Sequence, residues 1–222
     1  MGKLIVLEGT DGSGKSTQME LLAERMERDG LTFRRLRFPR YEEPSSALIR
    51  MSLGGEFGDK PSDVGAYAAS TFYAVDRFAS YAQDWKEFYE NGGVLISDRY
   101  TTSNAIHQGS KLEGAERTEY FRWLYELEFD RMKLPKPDLV LRLDMPIELS
   151  QSLMRGREEA THTTADIHEK DKEYLMACRR AAAEAGEYYG WTTISCARDG
   201  VVRSREEIHE EIYTCVRTCL EV

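Results

Sequence analysis

The chain contains no apolar run approaching the ~20 residues that cross a bilayer, so no membrane-spanning helix is expected. Its four cysteines, Cys178, Cys196, Cys215 and Cys219, include no C-x-x-C, and no secretory leader precedes the first apolar run. That pattern points to reduced thiols in a cytoplasmic protein. Cys215 and Cys219 stand four apart on an expected helix, where packing accounts for them better than zinc does. Positive charge is in short supply. Thirty Lys+Arg face 39 Asp+Glu, a formal net charge of -9, which is the wrong sign for a surface that neutralises many nucleic-acid phosphates. Any anion site must therefore be local. There is also no internal repeat and no low-complexity linker. A chain of 222 residues with 41% hydrophobic and 31% charged side chains has ordinary globular usage, and a single domain over 1–222 is expected.

What is present is an alternation. Apolar runs bounded by turn residues recur at 4–9 (LIVLEG), 31–38 (LTFRRLRF), 94–97 (VLIS), 138–144 (DLVLRLD) and 192–197 (TTISCA), and they read as strands. Segments of helical period separate them. Met19, Leu22, Ala23 and Met26 share one helical face, closed by Gly30 as a C-terminal cap. A long helix is expected from 66 up to Gly92 and Gly93, another over 115–132 before Pro135 and Pro137, and a last one near Ser204, where Ser204 and Glu207 suit a capping box. Strands alternating with helices imply an α/β fold, a parallel sheet covered on both faces. One stretch, 154–170 (MRGREEATHTTADIHEK), is polar and poor in apolar residues, and reads as a surface lobe. His162 and His168 within it have no cysteine or third histidine nearby and read as solvated loop residues, not as a metal pair.

The residues between the first strand and the first helix carry chemistry. Gly9, Gly14, Lys15 and Ser16 satisfy G-x-x-x-x-G-K-[ST], with a strand before and a helix after, as that motif requires. Glycines let successive backbone N–H groups turn around phosphate oxygens, and the helix adds its positive end. Lys15 can reach the outer phosphates and the Ser16 hydroxyl can coordinate Mg²⁺. A nucleoside triphosphate is the expected ligand, against the alternative of a Gly-rich turn that binds nothing. No guanine-reading N-K-x-D is present, which argues against a switch GTPase. Asp98 ends the third apolar run, placed either to hold Mg²⁺, directly or through water, or to cap the next helix. Arg99 follows, to fork onto a phosphate or to pair with a surface acid. Arg40, Arg50 and Arg77 join it. Arg77 follows Tyr73 by four on one helical face, and the set indicates a second, anion-bearing ligand with a planar base. Asp144 reads as support for the strand edge or as a helix cap, not as catalytic.

Taken together, LIVLEGTDGSGKSTQ, FPR, YAVDR, ISDRYTTSNAIHQG, KPDLVLRLDMP and DIHEKDKEYL resemble, in order and spacing, the thymidylate kinase family of P-loop nucleoside monophosphate kinases. The resemblance spans almost the whole chain. It implies a P-loop NTPase three-layer α/β/α fold with a five-stranded parallel sheet and a short lid at about 154–170. It also implies ATP as phosphoryl donor with Mg²⁺, dTMP as acceptor, formation of dTDP for dTTP supply, and a homodimer. By resemblance, Gly9, Asp11, Gly12, Ser13, Gly14, Lys15, Ser16 and Thr17 form the donor loop, with Ser16 and Asp98 at the metal. Asp11 accepts from the acceptor's 3′-hydroxyl. Arg40, Arg99 and Arg50 bind the acceptor phosphate, and Tyr73 stacks on thymine, with Phe72 as the alternative one position earlier. Arg77 donates to the base O4, Asn104 reads the N3 edge, Ser103 supports that wall and Gln108 borders the pocket. His107 stands where relatives often carry Tyr near the sugar 2′ position. No basic side chain lies among 10–13, so the charge of transfer falls to Lys15, Arg99 and the lid arginines Arg155 and Arg157.

Two rival readings remain at this stage. One is a deoxynucleoside kinase or a kinase of another monophosphate. A nucleoside hydroxyl benefits from a carboxylate base, and Glu8 is either that base or an ion-paired residue at the end of the first strand. The other is a nucleotide-binding P-loop protein that has lost transfer.

Overall fold

The computed structural model describes residues 1–58, 60, 63–153 and 172–221. Five strands, β1 (Lys3–Gly9), β2 (Phe33–Arg37), β3 (Val94–Asp98), β4 (Leu139–Asp144) and β5 (Thr192–Ser195), pair in parallel in the order β2-β3-β1-β4-β5. Strand β1 is central because its apolar run has no polar face: Leu4, Ile5, Val6 and Leu7 are all fully buried. Successive side chains alternate between the two layers. Ile5 and Leu7 join Ile96, Leu141 and Ile194 under α1 (Lys15–Arg28) and α8 (Arg205–Leu220), which contribute Met19, Leu22, Met26, Ile212 and Val216. Leu4 and Val6 join Leu95 and Val140 against Phe38, Trp85 and Tyr100 on the other face. Each fully buried Leu or Ile stabilises this three-layer arrangement by roughly 1.5–3 kcal/mol.

Local signals act where they are expected. Gly30, at φ 74°, ends α1, with its own N–H on Glu27 O and the Leu31 N–H on Met26 O, the two bonds of a Schellman motif. Ser204 and Glu207 form a reciprocal capping box at the start of α8. Strand β2 is shorter than the apolar run that announces it. It lies at the sheet edge, and its exposed Arg34, Arg35 and Arg37 discourage further pairing. Strand β5 stops at Ser195, because Ala197–Arg198 turns away to pair antiparallel with Val201–Val202 through Asp199-Gly200.

The two long helices are each interrupted. The first is α3 (Ala66–Ser80), a π turn over Tyr81–Trp85, and α4 (Lys86–Glu90). The wide turn seats Trp85 in the core, with its indole N–H donating to Ser80 Oγ at 3.1 Å. The second is α6 (Gly114–Tyr125), followed by a π turn over Glu126–Arg131 in which Glu128 is fully buried. Between them, α2 (Ala47–Leu53) precedes α3, and α5 (Thr101–His107) follows β3. Helix α7 (Lys172–Tyr189) packs beside α5. The register sets Leu7 opposite Asp98 and Gly9 opposite Leu143, so the carboxyl ends of β1, β3 and β4 share one edge. Open α/β sheets bind their ligands at that edge.

Candidate active site

The loop between β1 and α1 turns on glycines. Gly12 and Gly14 have φ of 76° and 89°, a region that side-chain-bearing residues seldom adopt. Gly9 is required for a different reason, since a Cβ there would lie 2.9 Å from Leu143 O. Lys15 is buried, its Nζ donating to Gly9 O at 2.6 Å and to Thr10 O at 3.2 Å. Burial and the nearby Arg99 bring its ammonium down to about 8, opposed by Asp11, Glu8 and Asp98.

Glu8 fastens the end of β1 to the start of α5. Its Oε1 accepts the Gly9 N–H at 2.9 Å, and its Oε2 accepts the Thr102 and Ser103 hydroxyls, both at 2.7 Å. It is fully buried, with Arg99 Nη1 3.9 Å away. A carboxylate so saturated with donors is a strand-end anchor and not a base for a nucleoside hydroxyl.

Arg99 has the left-handed backbone, φ 69°, uncommon for a residue with a side chain. Its N–H donates to Leu7 O at 3.3 Å and its carbonyl accepts the Ser97 hydroxyl at 2.6 Å, which holds the turn. The side chain is thereby directed across the loop: Nη2 donates to Asp11 Oδ1 at 2.5 Å, and Nη1 lies 2.9 Å from His107 Nε2 and 3.5 Å from Ser103 Oγ. Burial alone would raise the Asp11 carboxyl, but Arg99, Lys15 and His107 bring it to about 2. His107 is lowered to about 4, by burial first and then by Arg99.

Asp98 is not a helix cap, because Tyr100 occupies the N-cap of α5. Its Oδ1 is buried without a hydrogen-bond partner, while Oδ2 lies 4.0 Å from the exposed Arg37. Ser16 is exposed in the first turn of α1.

Three arginines expected to face a ligand hold protein groups instead. Arg40 donates from its backbone N–H and Nε to Asp76 at 2.9 and 3.3 Å, from Nη1 to Asp84 at 2.6 Å and from Nη2 to Ser45 at 3.1 Å. Arg50 Nη1 closes the 41–46 loop, donating to Tyr41 O, Glu43 O and Ser46 Oγ at 2.5, 3.0 and 2.6 Å. Arg77 is fully buried, its Nε and Nη2 on Glu128 at 2.7 and 2.5 Å and its Nη1 on Tyr100 O at 3.3 Å. A guanidinium so engaged supports the wall of the site from behind. The resemblance implies direct ligand contacts for the three; in this structure each guanidinium is engaged by protein groups, Arg40 in part by the half-exposed Asp84.

Tyr73 is half-buried. Burial and the neighbouring Tyr41 push its hydroxyl up to about 12, against Arg77 and Arg99. Phe72 instead pairs with Phe57, ring centroids 5.8 Å apart, which separates the two candidate aromatics. Asn104 is buried and donates to Ser70 O at 3.2 Å, and Gln108 is buried with its Oε1 unpartnered. Asp144 accepts from Arg142 and Arg179 at 3.1 to 3.2 Å, a strand-edge network. Arg155, Arg157, His162, His168 and the expected lid at 154–170 lie outside the described residues.

Sequence reasoning missed Asp76, Glu128 and Tyr174. Asp76 had a signal, an acid next to Arg77 in a segment expected to line the site. Glu128 had a weaker one, its place four after Leu124 and seven after Phe121 on the inner face of the expected helix. Tyr174 lies in a quoted motif, and its hydroxyl meets His107 Nδ1 at 2.9 Å.

The thymidylate kinase family model matches residues 7–212. The chain is 35% identical over 190 residues to the thymidylate kinase of Mycobacterium tuberculosis, covering 85% of this chain and 87% of that one. It is 31% identical over 227 residues to the thymidylate kinase of Halothermothrix orenii, covering 99% and 98%. It is also 31% identical over 219 residues to a probable thymidylate kinase of Thermococcus kodakarensis, covering 97% and 98%. With its glycine loop, its sheet order and these matches along nearly its whole length, the chain belongs to the thymidylate kinase family.

Proposed function

We propose that the chain transfers the terminal phosphoryl group of ATP to dTMP, giving dTDP and ADP, and so serves dTTP supply. The observation that carries this reading is Arg99, whose guanidinium joins Asp11 of the phosphate loop to His107 and Ser103 of α5. One cation thus lies between the donor loop and the acceptor wall.

The acceptor phosphate is already an anion, so the chain has no strong base to supply. Positioning and charge compensation remain. The amides from Gly9 to Thr17 cradle the donor phosphates, and Lys15 exchanges the Gly9 and Thr10 carbonyls for outer phosphate oxygens. Lys15, Arg99 and either Arg155 or Arg157 balance the charge of the transferring group. On the acceptor side Asp11 takes the sugar 3′-hydroxyl, Tyr73 stacks on the base, Asn104 reads the N3 edge, and Ser103 and Gln108 complete the wall. Arg40 takes the phosphate by exchanging the exposed Asp84 while the buried Asp76 keeps its aim. Arg50 fixes the loop behind Arg40, and Arg77 acts through Glu128 and Tyr100, not on the base.

Ser16 and Asp98 are the residues that fit Mg²⁺, on the strength of the buried, unpartnered Asp98 Oδ1. Two protein ligands suffice for such a cation, which takes most of its coordination from phosphates and water. Held by Ser16 and Asp98, Mg²⁺ would supply charge neutralisation at the outer phosphates.

The reading includes a homodimer, supported by exposed apolar side chains on neighbouring helices: Leu48 and Leu53 of α2, Tyr67, Val75 and Phe78 of α3. It places the chain in the cytoplasm, supported by four unpaired cysteines. Among the described residues no helix is long and apolar enough to cross a membrane.

The test is ADP formation from ATP with dTMP, dUMP, dCMP and thymidine in turn. Rapid turnover with dTMP alone is expected. Equal rates with dUMP or dCMP would remove the base assignment, and a preference for thymidine would remove the phosphate-acceptor reading.

A further inference from the structure

His107 touches a guanidinium, which can only donate, and a phenol hydroxyl, which can donate or accept, so Arg99 determines its tautomer and Tyr174 accommodates it. Arg99 Nη1, 2.9 Å from Nε2, belongs to a guanidinium that only donates, so Nε2 must carry the lone pair. A protonated ring would set donor against donor at that distance. The ring is then neutral with its proton on Nδ1, and Nδ1–H is directed at the Tyr174 hydroxyl 2.9 Å away, with Cys178 Sγ farther off at 3.7 Å. Tyr174 and Cys178 both come from α7, and the Tyr174 ring lies near-parallel to the imidazole, centroids 6.2 Å apart. The ring is thus fixed by a second element and cannot turn its lone pair away from Arg99 without losing that bond.

The chemical identity of this acceptor matters because of what already surrounds Arg99. Asp11 is bonded to Nη2, and Glu8 lies 3.9 Å from Nη1. A third carboxylate at position 107 would pair off the guanidinium, and a lysine would repel it. A neutral acceptor fixes its direction and leaves its charge for a phosphate.

We propose that His107 is a positioning residue for Arg99 in phosphoryl transfer: a neutral, Nδ1-protonated ring that orients the guanidinium through Nε2 without neutralising it. This rests on the transfer reading above. Two measurements test it. In long-range ¹H–¹⁵N spectra of the wild-type protein, His107 should show a protonated Nδ1 and an unprotonated Nε2 at neutral pH. A protonated Nε2, or a cationic ring, overturns the assignment. In steady-state kinetics with ATP and dTMP, His107→Phe removes the acceptor while keeping a ring, and His107→Gln restores an acceptor at nearly the Nε2 position. The Phe variant should lose about tenfold or more in kcat and the Gln variant no more than about threefold, with KM for ATP unchanged in both. A folded Phe variant within about twofold of wild type, or equal losses in Phe and Gln, overturns the positioning role. A wild-type chain that transfers to no monophosphate removes the transfer reading, and the tautomer measurement then decides the Arg99 contact by itself.

Discussion

Asp76 holds Arg40 at three points: Oδ2 accepts the Arg40 backbone N–H at 2.9 Å, Oδ1 accepts Nε at 3.3 Å and the Asp76 carbonyl accepts Nη2 at 3.4 Å. Asp76 is buried, whereas Asp84, the partner of Nη1, is about half exposed. An exposed ion pair is worth ~0–1 kcal/mol and yields readily to a ligand, while the buried anchor stays. Arg40→Ala should therefore raise KM for dTMP by roughly tenfold or more, consistent with loss of a charge-assisted bond, and leave KM for ATP within about twofold. Asp84→Ala should not raise KM for dTMP. Steady-state titration of each substrate decides this, and a rise in the ATP constant equal to that for dTMP would remove Arg40 from the acceptor phosphate.

Glu128 bears on stability more than on chemistry. It is fully buried, receives two bonds from Arg77 and a third from the Thr101 hydroxyl at 2.6 Å. Glu128→Ala would leave a buried guanidinium without its counter-charge, at a cost of ~3–5 kcal/mol. Urea denaturation should show that loss, with Glu128→Gln milder because it keeps hydrogen-bonding atoms. A loss below ~1 kcal/mol in the Ala variant would mean that water or another acid replaces the carboxylate.

Arg40 and Arg77 also show where sequence reasoning stops. The phosphate loop, the five strands, the Gly30 cap and the capping box rest on interactions between residues a few positions apart, and such spacing is visible in a linear string. That Arg77 and Arg40 lie near the site was visible for the same reason. Which of 39 acids each would meet was not: Asp76 is 36 residues from Arg40 and Glu128 is 51 from Arg77. Those pairings follow from the packing of whole helices: Glu128 continues the buried face of Arg117, Phe121 and Leu124, but which cation it meets there is set by the helix packed against it. The same holds for Tyr174, brought to His107 across 67 residues by the packing of α7 on α5.

Asp98 separates binding of a metal from support of the fold. Because its buried Oδ1 has no protein partner, Asp98→Asn removes no intramolecular bond there and should leave the denaturation midpoint close to wild type. If the carboxylate holds Mg²⁺, the Mg²⁺ concentration for half-maximal ADP formation should rise by about tenfold or more. An unchanged Mg²⁺ dependence in a folded variant would exclude Asp98 from the metal.

His107 predicts an acid sensitivity with a defined window. Arg99, Asp11, Glu8 and Lys15 surround it from the loop, β1 and α1, and Tyr174 and Cys178 from α7. Burial first and Arg99 second lower its folded-state value from 6.5 to about 4, so between those limits the unfolded chain binds a proton that the folded chain does not. Stability from this group is complete above pH ~6.5 and declines as pH falls toward 4, by up to about 3 kcal/mol. Carboxylates titrate over the lower part of the same range, so the diagnostic quantity is the difference between wild type and His107→Gln, which has nothing to protonate at that position. Urea midpoints between pH 4 and 7 should fall more steeply for wild type. Parallel curves would show that the imidazole takes up its proton without leaving Arg99, against the donor-on-donor argument that makes the ring neutral.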